Sequence, residues 1–162
     1  MDAVHLHLIS NHVPIIGAFF GIVVLLFGMA RQSPPTLAAA YSVFLISAAV
    51  GLIAYFSGEG AEEAVENLPG VTHEVIEAHE EVALYVLITY VLLAIVSFVG
   101  LVRSKNHYSR IKGIAIIVLF ISLISFALAA YTGWQGGQIR HTELRSAGST
   151  PATDVTEERE EK

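Results

Sequence analysis

Histidine and glutamate are the residues here whose types could do chemistry. The chain carries seven His and no Cys. His107 lies in a basic stretch and has no assigned role. The other six are His5, His7, His12, His73, His79 and His141, and each stands near the end of an apolar run. Neutral imidazole is a common metal ligand and a proton carrier near neutral pH. Eight Glu and no Lys or Arg lie between Ser57 and Glu81, among them Glu59, Glu62, Glu63 and Glu77. Imidazole with carboxylate suits zinc, copper or iron. Two imidazoles also suit the axial positions of a haem. Without Cys, a covalently attached c-type haem, an iron–sulfur cluster and thiolate catalysis are excluded, which leaves non-covalent haem b. Neither HExxH nor the Glu-x-x-His of di-iron bundles occurs. No nucleophile–base pair and no phosphate loop indicates an enzyme.

The elements that must position these residues follow from charge-free runs. Of 162 residues, 54% are hydrophobic and only 15% are charged, against about 25% in ordinary soluble domains. Val13 to Ala30, Leu37 to Phe56, Val82 to Val102 and Ile114 to Gln138 contain no Asp, Glu, Lys or Arg. Each is close to the roughly 20 residues that cross a bilayer as a helix. The runs are too long for barrel strands and lack alternation. The pattern predicts an all-α, antiparallel four-helix transmembrane bundle, with helices over 12–30, 37–56, 80–102 and 113–135. Asp2 ahead of the first run and Arg31 behind it argue against a cleaved signal peptide. The net charge of −6 argues against a nucleic-acid partner.

The connections assign sides. The first and third hold Arg31, Arg103, Lys105, Arg110 and Lys112 without an acid, and the second is acidic. The positive-inside rule places the basic loops in the cytoplasm. Both termini, all fifteen acids and six of the seven His then fall outside, which suits a multi-pass protein of a bacterial inner membrane. A short helix is expected over 61–67. Helix three is expected to start after Thr72, about two turns beyond the membrane. A transmembrane domain over 1–142 is followed by a polar tail, 146–162, that has nothing to bury and is expected to be disordered.

Helical spacing groups His12 with Ile16, Phe19 and Val23, and His79 with Val75, Ala83 and Val86. It places His141 above Ala130, Trp134 and Gly137. These three are expected to face inward and meet in one layer. His73, Glu77 and Glu80 share a polar face. The expected ligands are His12, His79 and His141 for a haem b. For a Zn, Cu or Fe ion the candidates are His12, His73, His79, His141, Glu59 and Glu77. Gly17-xxx-Gly21, Ser47-xxx-Gly51 and Gly133-xxx-Gly137 let helices approach closely, and the last could make room for a flat cofactor. The readings that follow are an electron carrier serving a quinol or respiratory partner, or a cofactor-free accessory subunit of a membrane complex. The small-residue stripes also leave open a homo-oligomer.

Four segments resemble a family of small bacterial four-span membrane proteins defined only as a domain of unknown function. They are His7-Leu-Ile-Ser-Asn-His-Val-Pro-Ile-Ile-Gly17, Ser57-Gly58-Glu59, Glu77-Ala-His79-Glu80 and Thr132-Gly-Trp-Gln-Gly-Gly-Gln-Ile-Arg-His141. They occur in the family's order over residues 5–142. Asn11-His12-Val13-Pro14 stands where that family more often has His-Pro or His-Phe-Pro, so His7 and His12 both qualify for its first histidine. The resemblance implies a compact bundle with histidines gathered at one end, and no established activity.

Overall fold

The computed structural model describes residues 2–66, 71–105 and 107–141, excepting the side chain of Arg140. The tail from Ser146 lies outside the described residues. Six helices run in order: α1 Ala3–Ser10, α2 His12–Ala30, α3 Pro34–Phe56, α4 Gly58–Glu62, α5 His73–Arg103 and α6 Tyr108–Arg140. Among the described residues, Ala3–Ala30, Pro34–Phe56, His73–Arg103 and Tyr108–Ile139 are long and apolar enough to cross a membrane. They close a ring in the order α2, α3, α5, α6. The fold is the expected four-helix transmembrane bundle.

Local chemistry sets the ends. The Asp2 side chain caps α1 by accepting from the His5 backbone N–H at 2.9 Å. Pro14 has no N–H to offer the Ser10 carbonyl, so the helix breaks one turn earlier, at Asn11. The α2–α3 turn ends in a Ser33 N–H to Gly28 carbonyl bond of 2.9 Å, the closing bond of a Schellman motif. That turn holds Gln32 at φ 51°, a left-handed conformation. Ser33 then caps α3, with Pro34 and Pro35 filling the first helical positions. These prolines sit inside the helix, three residues before the expected start at 37. The short acidic helix is Gly58–Glu62, earlier than the expected 61–67. Helix α5 starts after Thr72, as expected.

The interior is built from small residues and a few large ones. Helix α2 buries Pro14, Ala18, Gly21, Ile22, Leu25 and Gly28. Gly21 faces the Phe44 ring, and a Cβ on Gly100 would lie 2.7 Å from the Tyr41 ring. Glycine is what lets both aromatics be fully buried. Toward the basic loops, Leu25, Leu37, Tyr41, Phe44, Leu93, Ile111 and Val118 form the main core. Toward the acidic end the core thins to Ala18, Ala48, Tyr90 and Ala129. Tyr90 donates its hydroxyl to the Pro14 carbonyl at 2.7 Å, tying α5 to α2.

Candidate functional site

The acid-bearing end of the bundle collects the starts of α1, α2 and α5, the end of α3, all of α4 and the end of α6. His7 lies half-buried on α1. Its Nδ1 donates to the Ala54 carbonyl on α3 at 2.8 Å, which leaves Nε2 as the lone-pair nitrogen. The Ser57 hydroxyl donates to the same carbonyl at 3.1 Å. The His7 ring rests over Gly58, whose missing Cβ would lie 3.8 Å from His7 Cε1.

His79 projects from α5 toward α6. The backbone of Thr132 on α6 lies beside its ring, and its Nδ1 is buried without a partner. Gly136, one turn beyond Thr132, makes this approach feasible, since a Cβ there would fall 3.3 Å from His79 Cε1. His7 is an electrostatic neighbour of His79. Beside them, Gln135 donates Nε2–H to the Ala78 carbonyl at 3.3 Å.

The other expected ligands are placed differently. The inward face predicted for His12 is a lipid face: His12 is exposed, and Ile16, Phe19 and Val23 are each about half exposed, at 54%, 49% and 48%. The face below His141 is also outward, with Trp134 56% exposed and stacked on Tyr131. His141 itself is exposed. The reason is solvent. In lipid, apolar side chains have no preference for the interior, so the inward stripes are the small ones. Of the three histidines expected inside, only His79 is there. His73 and Glu77 are exposed, as their shared polar face predicts, and Glu59 is exposed on α4. Among the described residues, no three His, Asp or Glu side chains converge in a group able to hold a metal ion.

His7 was the histidine that periodicity undervalued. Two imidazoles separated by one residue point apart on a helix, and they do: His5 turns outward to Asp2, at 2.7 Å, while His7 turns to α3. The signal for a helix here was Asp2, a capping residue three positions before His5. Glu62 of α4 bonds the Glu80 side chain, and this holds its carboxyl above the usual range. An apolar groove of about 270 Å³ opens between α2 and α3 at Val13, Ile16, Gly17, Val43, Ile46 and Ser47, with no ligating side chain in its wall.

No protein family matches the chain, and no curated protein or solved structure is similar to it. The functional reading therefore rests on the site itself. That site is two imidazoles on different helices, His7 bonded to the Ala54 carbonyl and His79 packed against Gly136.

Proposed function

We propose that this integral membrane protein is a small electron carrier for haem b at its acid-bearing end, where His7 and His79 would hold the group. The observation that carries the reading is a pair of available imidazole nitrogens: His7 donates Nδ1–H to the Ala54 carbonyl and keeps Nε2 as a lone pair, and Nδ1 of His79 is buried without a partner. Metal-ligating histidines are oriented as His7 is, since the carbonyl fixes the tautomer and makes the ligating nitrogen more basic. The buried, unpartnered Nδ1 of His79 fits a ligand's role. Two nitrogen donors match the axial needs of haem, whereas structural zinc takes four ligands. A bound haem would supply one-electron chemistry. The chain's own part is to hold the two rings, set the tautomer of His7 through the Ala54 carbonyl and surround both with packed helix ends.

His7 takes the place expected of His12, because His12 faces lipid. His141 has a weaker claim, being exposed at the end of α6. The basic loops at the opposite end support a cytoplasmic side there, which would put the histidines outside and within reach of a quinol or a respiratory partner.

A second reading has its own observation. His7 links α1 to α3 and His79 links α5 to α6, so both rings would also serve a cofactor-free accessory subunit as ties between helix ends. The visible spectrum separates the two. Detergent-purified full-length chain supplemented with haemin is expected to show a Soret band that His7→Ala or His79→Ala removes. No Soret band in the wild type, together with no bound metal by elemental analysis, would overturn the haem reading and favour the second.

A further inference from the structure

The exposed aromatic rings of the bundle are sorted by chemistry along its length. Phe19, Phe20, Phe98 and Phe120 are exposed within the spans, and none has a polar tip. Rings with a polar tip lie elsewhere. Tyr85, Tyr131 and Trp134 are exposed at 51%, 49% and 56%, and Tyr55 is half-buried beside the exposed Phe56. Tyr131 and Trp134 stack into one plate on α6, with ring centroids 5.6 Å apart. The other tyrosines are taken up by the protein: Tyr41 and Tyr90 are buried, and Tyr108 donates to the Met29 carbonyl.

Contacts between helices set the heights of these rings. Tyr41 packs on Gly100, Pro14 on Gly51, Ile15 on Gly133 and His79 on Gly136. Counted along each helix from those contacts at 1.5 Å per residue, Tyr55, Tyr85, Tyr131 and Trp134 fall in one band about 10 Å deep, and the exposed His12 of α2 falls in it too. The same count measures the way to the basic loops. Residues 12–31, 34–55, 85–103 and 112–131 each run about 27–32 Å, close to the hydrocarbon thickness of a bilayer, about 30 Å. The four helices agree on this distance although their lengths, 19, 23, 31 and 33 residues, differ.

A ring with an apolar body and a polar tip is at home in the headgroup layer, where one end stays in lipid and the other is wet. We propose that this band seats the acid-bearing end of the bundle in the lipid headgroup layer, with Trp134 and Tyr131 as its anchor on α6. Past the band stand α4, whose Gly60 meets Ala3, and the acid-rich first turns of α5. His7 bonds the carbonyl of Ala54, next to Tyr55, and His79 lies against Gly136, two residues past Trp134. Both imidazoles therefore lie at the lipid surface and outside the hydrocarbon. The seating does not depend on a haem.

Trp134 is the only tryptophan of the chain, so its fluorescence reads the depth of the band. The test places the haem-free full chain in phosphatidylcholine vesicles whose acyl chains are brominated either just below the headgroup or near the chain end. The shallow label is expected to quench Trp134 about twofold more strongly than the deep one. Equal quenching, or stronger quenching by the deep label, would overturn the proposal. So would quenching by neither, which marks a ring covered by a second copy of the chain or standing in water. Two variants in a Trp134→Phe background extend the reading to the band itself. Tyr85→Trp is expected to repeat the wild-type preference, and Phe120→Trp, at mid-span, to reverse it. The same preference at both positions would overturn the band, and the wild-type result decides on its own if either variant fails to fold.

Discussion

The two ends of the bundle are built to different rules. Toward the basic loops, Tyr41 and Phe44 fill the space that Gly100 and Gly21 leave, and Leu25, Leu37 and Leu93 close around them. Toward the acids the core shrinks to alanines and Tyr90, and three buried polar atoms have no partner. The unpartnered atoms in the rest of the described bundle are Tyr41 Oη and Ser97 Oγ. Buried polar groups are normally satisfied, and a cluster of exceptions at one end calls for a reason. The contrast teaches that one half of the molecule holds the helices together, while the other accepts a loss of stability and leaves buried polar atoms unpaired. The comparison breaks if substitutions in the two halves have the same consequences.

The largest effect belongs to the packed half. Phe44→Ala leaves a cavity that facing glycines cannot fill, and should cost about 3 kcal/mol or more. Gly21→Leu forces a side chain into the same ring and should cost about 1–3 kcal/mol. Thermal melts of the purified chain in detergent, followed by circular dichroism, check both. Neither substitution touches the histidines, so whatever folded protein remains should bind haemin as the wild type does. His79→Ala is the converse. It deletes a buried nitrogen without a partner, which costs about 1–3 kcal/mol, together with the ring's packing against Gly136, a loss of similar size and opposite sign. Its melting temperature should barely move while the Soret band disappears. His12→Ala should leave both unchanged, and a Soret band lost in His12→Ala but kept in His7→Ala would reverse the assignment of the axial pair.

How much of this was legible in the residues follows the same division. The four spans were plain, because the cost of a charge in hydrocarbon writes long charge-free runs into any chain that crosses it. Their ends were less so. Pro34 and Pro35 read as a loop until Ser33 is recognised as a cap, and α1 hides ahead of the first run behind Asp2. The site was legible by layer and not by face. Grouping His12 with Ile16 and Phe19 borrowed a rule from water, where apolar means inside. Gly21, Gly28 and Ala18 were the better guide to the interior of α2, and by that guide His12 faces out. The neighbours of His79 could not be read from its own helix at all, since Thr132 and Gly136 come from α6 and His7 from α1.

A smaller effect sharpens the packed end. Gln32 is held at φ 51° between α2 and α3, a conformation that strains any side chain with a Cβ. Gln32→Gly relieves this and should stabilise the chain by about 0.5–1 kcal/mol in the same melts. No stabilisation would mean that the turn at this end is held more loosely than the core beside it.

The smallest effect concerns the acid-bearing end, and pH brings it out. The carboxyl of Glu62 is raised by its hydrogen bond to the Glu80 side chain, then by desolvation and by the Glu80 charge, with His73 opposing. A carboxyl raised on folding holds its proton more tightly in the native state. Its contribution is therefore complete below the ordinary value of 4.5 and is lost as pH rises through the raised one. Asp2 has the opposite sign, since the His5 backbone N–H and then its ring lower it; its contribution is present above the ordinary value of 3.8 and is lost on acidification. Both groups are open to water, so the effects are slight. Melts from mildly acid to neutral pH should show Glu62→Gln flattening the decline that the wild type suffers as pH rises, with no change in the haemin spectrum of the folded protein. If the spectrum shifts with that substitution, the link from α4 to α5 reaches the imidazoles and the acid-bearing end acts as one unit.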